Sequence, residues 1–273
     1  MVEVLVHFVA PALVGVLVGI ASGLLGIGGG TVMVPIFRLA FGMSATMSTA
    51  TSLFAIIPTS ISGAISHVKG KTCIPALGIA AGLGGACMSP IGVWLAQLSP
   101  DWLVMLAAAL IIGYSAINMF KKAFKVPRAG QPAEGADAAA PTADDSSLSR
   151  KQLLQGAAIG LVAGLASGYV GVGGGFIMVP LMLSIIGIPM RKASGTSLIA
   201  VMILAIPGVI EQGIIGNINY LAGIAIVIGT IPGAVIGARL VTKVPERTLR
   251  LLFGCFLIVA AVMLVLNEVG ILG

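Results

Sequence analysis

The sequence predicts an all-α polytopic membrane protein built from two inverted-topology repeats, and three observations carry that prediction. The 273 residues are 58% hydrophobic and only 9% charged, too little polar surface to wrap a packed core in water. Uncharged runs of about 20 residues, the length a helix needs to cross a bilayer, recur along the chain, whereas the ~10-residue alternation of a membrane barrel does not. The chain also repeats itself: "ASGLLGIGGGTVMVP" at 21–35 returns as "ASGYVGVGGGFIMVP" at 166–180, with ten of the fifteen positions identical.

The repeat keeps a single register. Gly26 and Gly171 stand 145 residues apart, and the same offset pairs "TSL" at 51–53 with "TSL" at 196–198, Gly63 with Gly208, Gly78 with Gly223, Gly92 with Gly237 and Pro100 with Pro245. The first repeat, 1–120, divides into apolar segments near 4–25, 31–41, 48–67, 74–97 and 102–120. The second, 152–273, divides near 152–170, 176–187, 193–212, 219–241 and 247–266. Between them, 121–151 is rich in Ala, Pro, Ser and Asp, cannot bury a core, and is expected to be a flexible linker outside the membrane.

No Lys or Arg precedes the first segment, so it lacks the basic start of a cleaved signal peptide and is expected to remain a transmembrane helix. Gly15, Gly19 and Gly23 in it, like Gly160, Gly164 and Gly168 in its mate, recur at the four-residue spacing that lets helices pack closely. The second segments, "TVMVPIFRLA" and "FIMVPLMLSI", reach roughly half of a ~30 Å hydrocarbon core at about 1.5 Å per residue. Each glycine stretch must therefore lie inside the membrane as the break of a re-entrant helix hairpin, with three crossing helices following it.

Basic residues give the orientation, because Lys and Arg concentrate in cytoplasmic loops. Lys69 and Lys71 mark a loop of the first half whose counterpart near 213–219 has no base. Arg191 with Lys192, and Lys243 with Arg247, mark loops whose counterparts near 42–47 and 97–102 have none. The halves are thus expected to insert upside down to one another, with the linker, flanked by Lys121, Lys122, Arg150 and Lys151, in the cytoplasm and both termini outside. The net charge of +6 sits singly or in twos at the ends of apolar runs, which fits helix orientation and not nucleic-acid binding.

Backbone amides freed by a break cannot be satisfied by lipid, so paired breaks at equivalent positions mark the binding site of a transporter. Gly28, Gly29 and Gly30 run straight into the first short helix at Thr31; Gly173, Gly174 and Gly175 run into the second at Phe176. Glycine leaves no Cβ to hold a ligand off the amides, and amides at a helix start attract anions. Two facing loops form a candidate oxyanion site without any buried Lys or Arg; the alternative is that they only pack helices. Thr51 and Ser52, their mates Thr196 and Ser197, and Ser22 with Ser167 are candidate supporting donors, although such hydroxyls also bond neighbouring carbonyls. Pro35 and Pro180, expected in the first turn or so of each short helix, shape the backbone.

Other chemistry is set aside. "HVKGKT" at 67–72 lacks the first glycine of a phosphate loop, since Ile65 occupies that place, and Thr31 stands where a dinucleotide fingerprint needs its last glycine. Cys73, Cys87 and Cys255 lie singly, without metal or redox spacing, and are expected to be buried packing residues. No cofactor or metal is expected. An enzyme would need a nucleophile, base or metal set, and the chain offers only His7, His67 and few intramembrane carboxylates. His67 and Glu211 are expected at the interface, and Arg38 and Arg239 to snorkel to headgroups, with Arg38 alternatively drawing anions inward.

Two halves each carrying G-x-G-G-G before an apolar stretch with proline, joined by a linker, resemble the TauE/SafE sulfite exporter family, also called the four-toluene sulfonate uptake permeases. The motif appears twice in matching context, "GLLGIGGGTVMVP" and "GYVGVGGGFIMVP", and the likeness covers nearly the whole chain outside the linker. The resemblance implies a prokaryotic inner-membrane carrier of sulfite, sulfonates, sulfoacetate or related anions, outward in some members and inward in others. Export is favoured by an interior-negative potential, about 2.3 kcal/mol per charge per 100 mV, and needs no proton relay. A channel using the same loops, or a carrier of another small oxyanion, stays open.

Overall fold

In the computed structural model of the chain, residues 10–125 and 149–268 are described. His7, the start of the first segment, most of the expected linker and both termini lie outside the described residues. Their helices are α1 (Ala10–Leu25), α2 (Gly30–Phe41), α3 (Ala45–Lys69), α4 (Pro75–Leu98) and α5 (Asp101–Lys125). After the linker come α6 (Arg150–Val170), α7 (Gly175–Leu181), a π-helical turn over Met182–Ile186, α8 (Met190–Ile215), α9 (Tyr220–Leu240) and α10 (Glu246–Glu268). Seven of these, α3 to α6 and α8 to α10, are long and apolar enough to cross a bilayer, and the chain is a multi-pass membrane protein.

A buried or partly buried helix start leaves donors that the protein itself must satisfy. Four such starts are satisfied in two matched pairs, each 145 residues apart. Asp101 Oδ2 accepts from the Ala45 amide at 3.3 Å, as Glu246 Oε1 accepts from Met190 at 3.2 Å. Thr51 Oγ1 accepts from the Asn219 amide at 3.0 Å, as Thr196 Oγ1 accepts from Ile74 at 2.9 Å. The second pair crosses between the halves, so each half closes a helix start of the other.

The glycine ladders cross over as well. A Cβ at Gly15, Gly19 or Gly23 of α1 would lie 2.4, 2.4 and 2.1 Å from the carbonyl oxygens of Ile226, Thr230 and Ala234 on α9. At Gly160, Gly164 and Gly168 of α6 the same atom would lie 1.9, 2.1 and 2.0 Å from those of Ala81, Gly85 and Ser89 on α4. Only glycine allows this approach, backbone to backbone. Residue numbers rise together along both seams, so α1 runs parallel to α9 and α6 to α4. The equivalent helices α3 and α8 run antiparallel, because Leu198 packs on Gly63 while Leu53 packs on Gly208.

Four expectations are corrected. Helix α5 continues to Lys125, because Met119 and Ala123 keep its inner face buried, and α6 starts at Arg150 behind a Ser149–Gln152 capping box. Lys121, Lys122, Arg150 and Lys151 are therefore helical and not linker. Pro35 and Pro180 fall at the sixth helical residue, in the second turn, so each removes the amide that would serve the carbonyl of Thr31 or Phe176. Beyond Pro180 the helix widens into its π turn, where Lys122 Nζ and Ser184 Oγ both donate to the Pro180 carbonyl, at 2.7 and 2.6 Å. Cys87 and Cys255 are exposed on outward helix faces instead of packed, since outward faces here meet hydrocarbon and a small apolar thiol is compatible with either side.

Candidate functional site

The two glycine loops meet at the centre of the fold. Gly28 and Gly29 adopt φ of +78° and +86°, and Gly173 and Gly174 +88° and +67°, left-handed values that side chains resist. Gly29 and Gly174 hold the N-cap positions of α2 and α7, and no side chain caps either helix. A Cβ at Gly30 would lie 2.4 Å from the Val172 carbonyl oxygen, and one at Gly175 2.5 Å from that of Gly26, so the loops touch through their backbones.

Ile56 of α3 and its mate Val201 of α8 close the space beside them. A Cβ at Gly28 would stand 2.9 Å from Val201 Cγ1 and 3.3 Å from Ile56 Cγ2; one at Gly173 would stand 2.8 Å from Ile56 Cδ1 and 3.5 Å from Val201 Cγ1. Both side chains are fully buried. This is a closed centre.

The candidate donors divide by partner. Thr51 and Thr196 are committed to the helix starts described above, and Thr196 also donates to the Lys192 carbonyl at 2.7 Å. Ser197 donates to the Gly26 carbonyl at 2.7 Å, which anchors the first loop, and to Ser194 at 2.9 Å. Ser22, Thr31, Ser52 and Ser167 are buried with no hydrogen-bond partner on their hydroxyls. Phe176, at the position of Thr31, is a fully buried core side chain. Buried hydroxyls are normally paired, so each of these orphans lacks the partner that its burial calls for.

Sequence reasoning missed Ser60. Its buried, unpartnered Oγ lies 3.5 Å from the Cβ position of Gly28. Its counterpart is Ala205, so a comparison of matched polar positions passes over it. Asp101 and Glu246 were also missed, although their equal offset was the available signal.

His67 is corrected from interfacial to buried. Its Nε2 sits 2.8 Å from the Gly23 carbonyl, one of the orphan acceptors ending α1, and its Nδ1 2.7 Å from Thr72 Oγ1. A ring placed to serve that carbonyl must carry its proton on Nε2 while neutral. Glu211 is half-buried, Arg38 is half-buried in the last turn of α2, and Arg239 is exposed at the end of α9. Among the described residues no three His, Cys, Asp or Glu side chains gather as metal ligands.

A cavity of about 800 Å³ opens on the outer flank of α7, bounded by Ile111, Tyr114, Asn118, Tyr169, Pro180 and Ser184 among others. Neither glycine triplet lines it, and its walls are mainly apolar, which disfavours a bare anion.

The family model described as sulfite exporter TauE/SafE matches residues 11–264. A probable membrane transporter protein of Bacillus subtilis, YunE, is 27% identical over 94% of this chain and 97% of its own length. Another from Bacillus subtilis, YdhB, is 28% identical over 87% and 92%, and one from Haemophilus influenzae is 29% identical over 92% and 95%. No solved structure matches.

Proposed function

The chain belongs to the sulfite exporter TauE/SafE family, and we propose on that premise that it is a secondary transporter of sulfur-containing oxyanions, of the sulfite, sulfonate or sulfoacetate class. Transport runs by alternating access around the paired glycine loops, in the export direction, across a prokaryotic inner membrane. The observation that carries this is a pair of uncapped helix starts, broken by left-handed glycines and buried at equivalent positions, with orphan hydroxyls on the segments that flank them. Such a site offers hydrogen-bond donors and a helix dipole to an anion but no reactive group, and the chain is read as a carrier and not an enzyme.

The halves are read as inverted in the membrane, with the linker cytoplasmic and both termini outside. Support comes from the opposite loop bases and from the antiparallel course of α3 and α8, each of which is long enough to cross.

The test is flux of sulfite, sulfoacetate and taurine into proteoliposomes under an imposed potential, for the native chain and for Gly29→Val and Gly174→Val variants that still fold. Saturable flux of one anion, abolished by either substitution, is expected. Flux that survives both would remove the loops from the site. Flux that never saturates would make the protein a channel.

A further inference from the structure

We infer that the two loops are unequal, and that the anion is held by the first: the Thr31 and Ser60 hydroxyls with the Gly30 amide form a site for a singly charged sulfonate or oxyanion, and the second loop is its packing counterpart. This rests on the transport reading above and narrows it.

Three differences between otherwise matched positions support the assignment. Thr31, whose hydroxyl is buried and unpartnered, is matched in the repeat register by Phe176, whose side chain has nothing to donate. Ser60, with its orphan hydroxyl beside Gly28, is matched by Ala205. The Gly175 amide is already spent on the Gly173 carbonyl at 2.8 Å, whereas among the described residues no acceptor takes the Gly30 amide.

Ser22 adds a third orphan hydroxyl to the first loop, its Cβ 3.6 Å from the Cβ position of Gly29. Three buried hydroxyls without partners are unfavourable unless a ligand pairs them during the transport cycle. Their chemistry also sets the charge of that ligand. Hydroxyls and amides donate without neutralising, and the cost of stripping water from an ion grows with the square of its charge, about fourfold for a dianion. A donor-only site beside Ile56 and Val201 therefore selects monoanions.

Ser60→Ala, Thr31→Val, Ser167→Ala and Ala205→Ser variants of the full chain test this in proteoliposomes, with sulfite as the probe and thermal unfolding as the check on folding. Ser60→Ala and Thr31→Val are expected to raise KM for sulfite at least tenfold without lowering the melting temperature, because each removes an orphan and no bond. Ala205→Ser is expected to change KM less than twofold, and Ser167→Ala to raise it less than either first-loop variant. Methanesulfonate should inhibit sulfite flux at least tenfold more strongly than doubly charged sulfoacetate. Native KM in both Ser60→Ala and Thr31→Val, or an equal loss in Ser167→Ala, overturns the unequal site, and equal inhibition by the two competitors overturns its charge selection. Absence of saturable flux in the native chain overturns the transport reading itself, before any variant is compared.

Discussion

Replacing Gly160 by alanine probes how far the fold depends on backbone contact across its seams. The added Cβ would stand 1.9 Å from the Ala81 carbonyl oxygen, where contacts below 3.0 Å are essentially never found, so α6 and α4 must part by about 1.1 Å. The obstacle is backbone, which no rotamer change relieves, and parting the helices also loosens the neighbouring contacts of Gly164 and Gly168. Overpacking of this kind costs typically 1–3 kcal/mol, and the upper end applies here. Alanine recovers about 1 kcal/mol through helix propensity, leaving a net loss of about 2 kcal/mol. At roughly 2–4 °C per kcal/mol for a chain of this size, thermal unfolding of the detergent-purified protein should begin about 4–8 °C lower. Gly113→Ala is the control: its Cβ meets nothing within 4 Å, so the same exchange in mid-helix should raise the melting temperature slightly. If Gly160→Ala melts with or above the native chain, as Gly113→Ala should, the seams are not close-packed and the crossed architecture argued from them fails.

Two further outcomes follow from the same geometry. Thr51→Val and Thr196→Val each strand one helix-start amide, at Asn219 or Ile74, and should each cost about 1–3 kcal/mol in thermal unfolding, with the double variant additive; a neutral result for either would deny its capping role. His67→Phe keeps the bulk but leaves the Gly23 carbonyl without its imidazole partner, so a loss of about 1–3 kcal/mol is expected by the same measurement, and an unchanged melting point would mean that the carbonyl is satisfied otherwise.

What the sequence made legible was what local chemistry decides. Segment ends agree with the helices to within a few residues, because glycine punctuation and apolar length act locally, and the half-length of α2 and α7 followed from counting residues before the next break. Partner choice was not legible. A four-residue glycine spacing announces close packing without saying that α1 belongs to α9 and α6 to α4, which only long-range geometry decides. His67 was misplaced for the same reason: it lies near a loop in sequence, but the last turn of α3 packs on the end of α1, where an orphan carbonyl awaits a donor. Thr51 and Thr196 looked like free hydroxyls because the amides they accept from lie in other segments, in each case in the opposite half. Ser60 was hidden by the repeat itself, which draws attention to matched positions and away from a hydroxyl opposite an alanine.

The crossed seams also constrain the motion that the proposed alternating access would require. If the two sequence halves rocked as rigid bodies, α1 would have to leave α9 and α6 leave α4, breaking contacts in which glycine backbones lie directly on facing carbonyls. Those surfaces have no side chains to slide over one another, so they are the parts least able to part without loss of stability. The units that can move whole are then α1 with α9 and α4 with α6, each drawing one helix from either half. Each unit includes the helix that leads into one glycine loop, α1 for the first and α6 for the second. Between them stand Ile56 and Val201, whose contacts with Gly28 and Gly173 are made by side-chain methyls and not by backbone. Methyls can rotate aside where carbonyls cannot, so on the proposed mechanism an opening of the closed centre at Ile56 and Val201 would leave the seams intact.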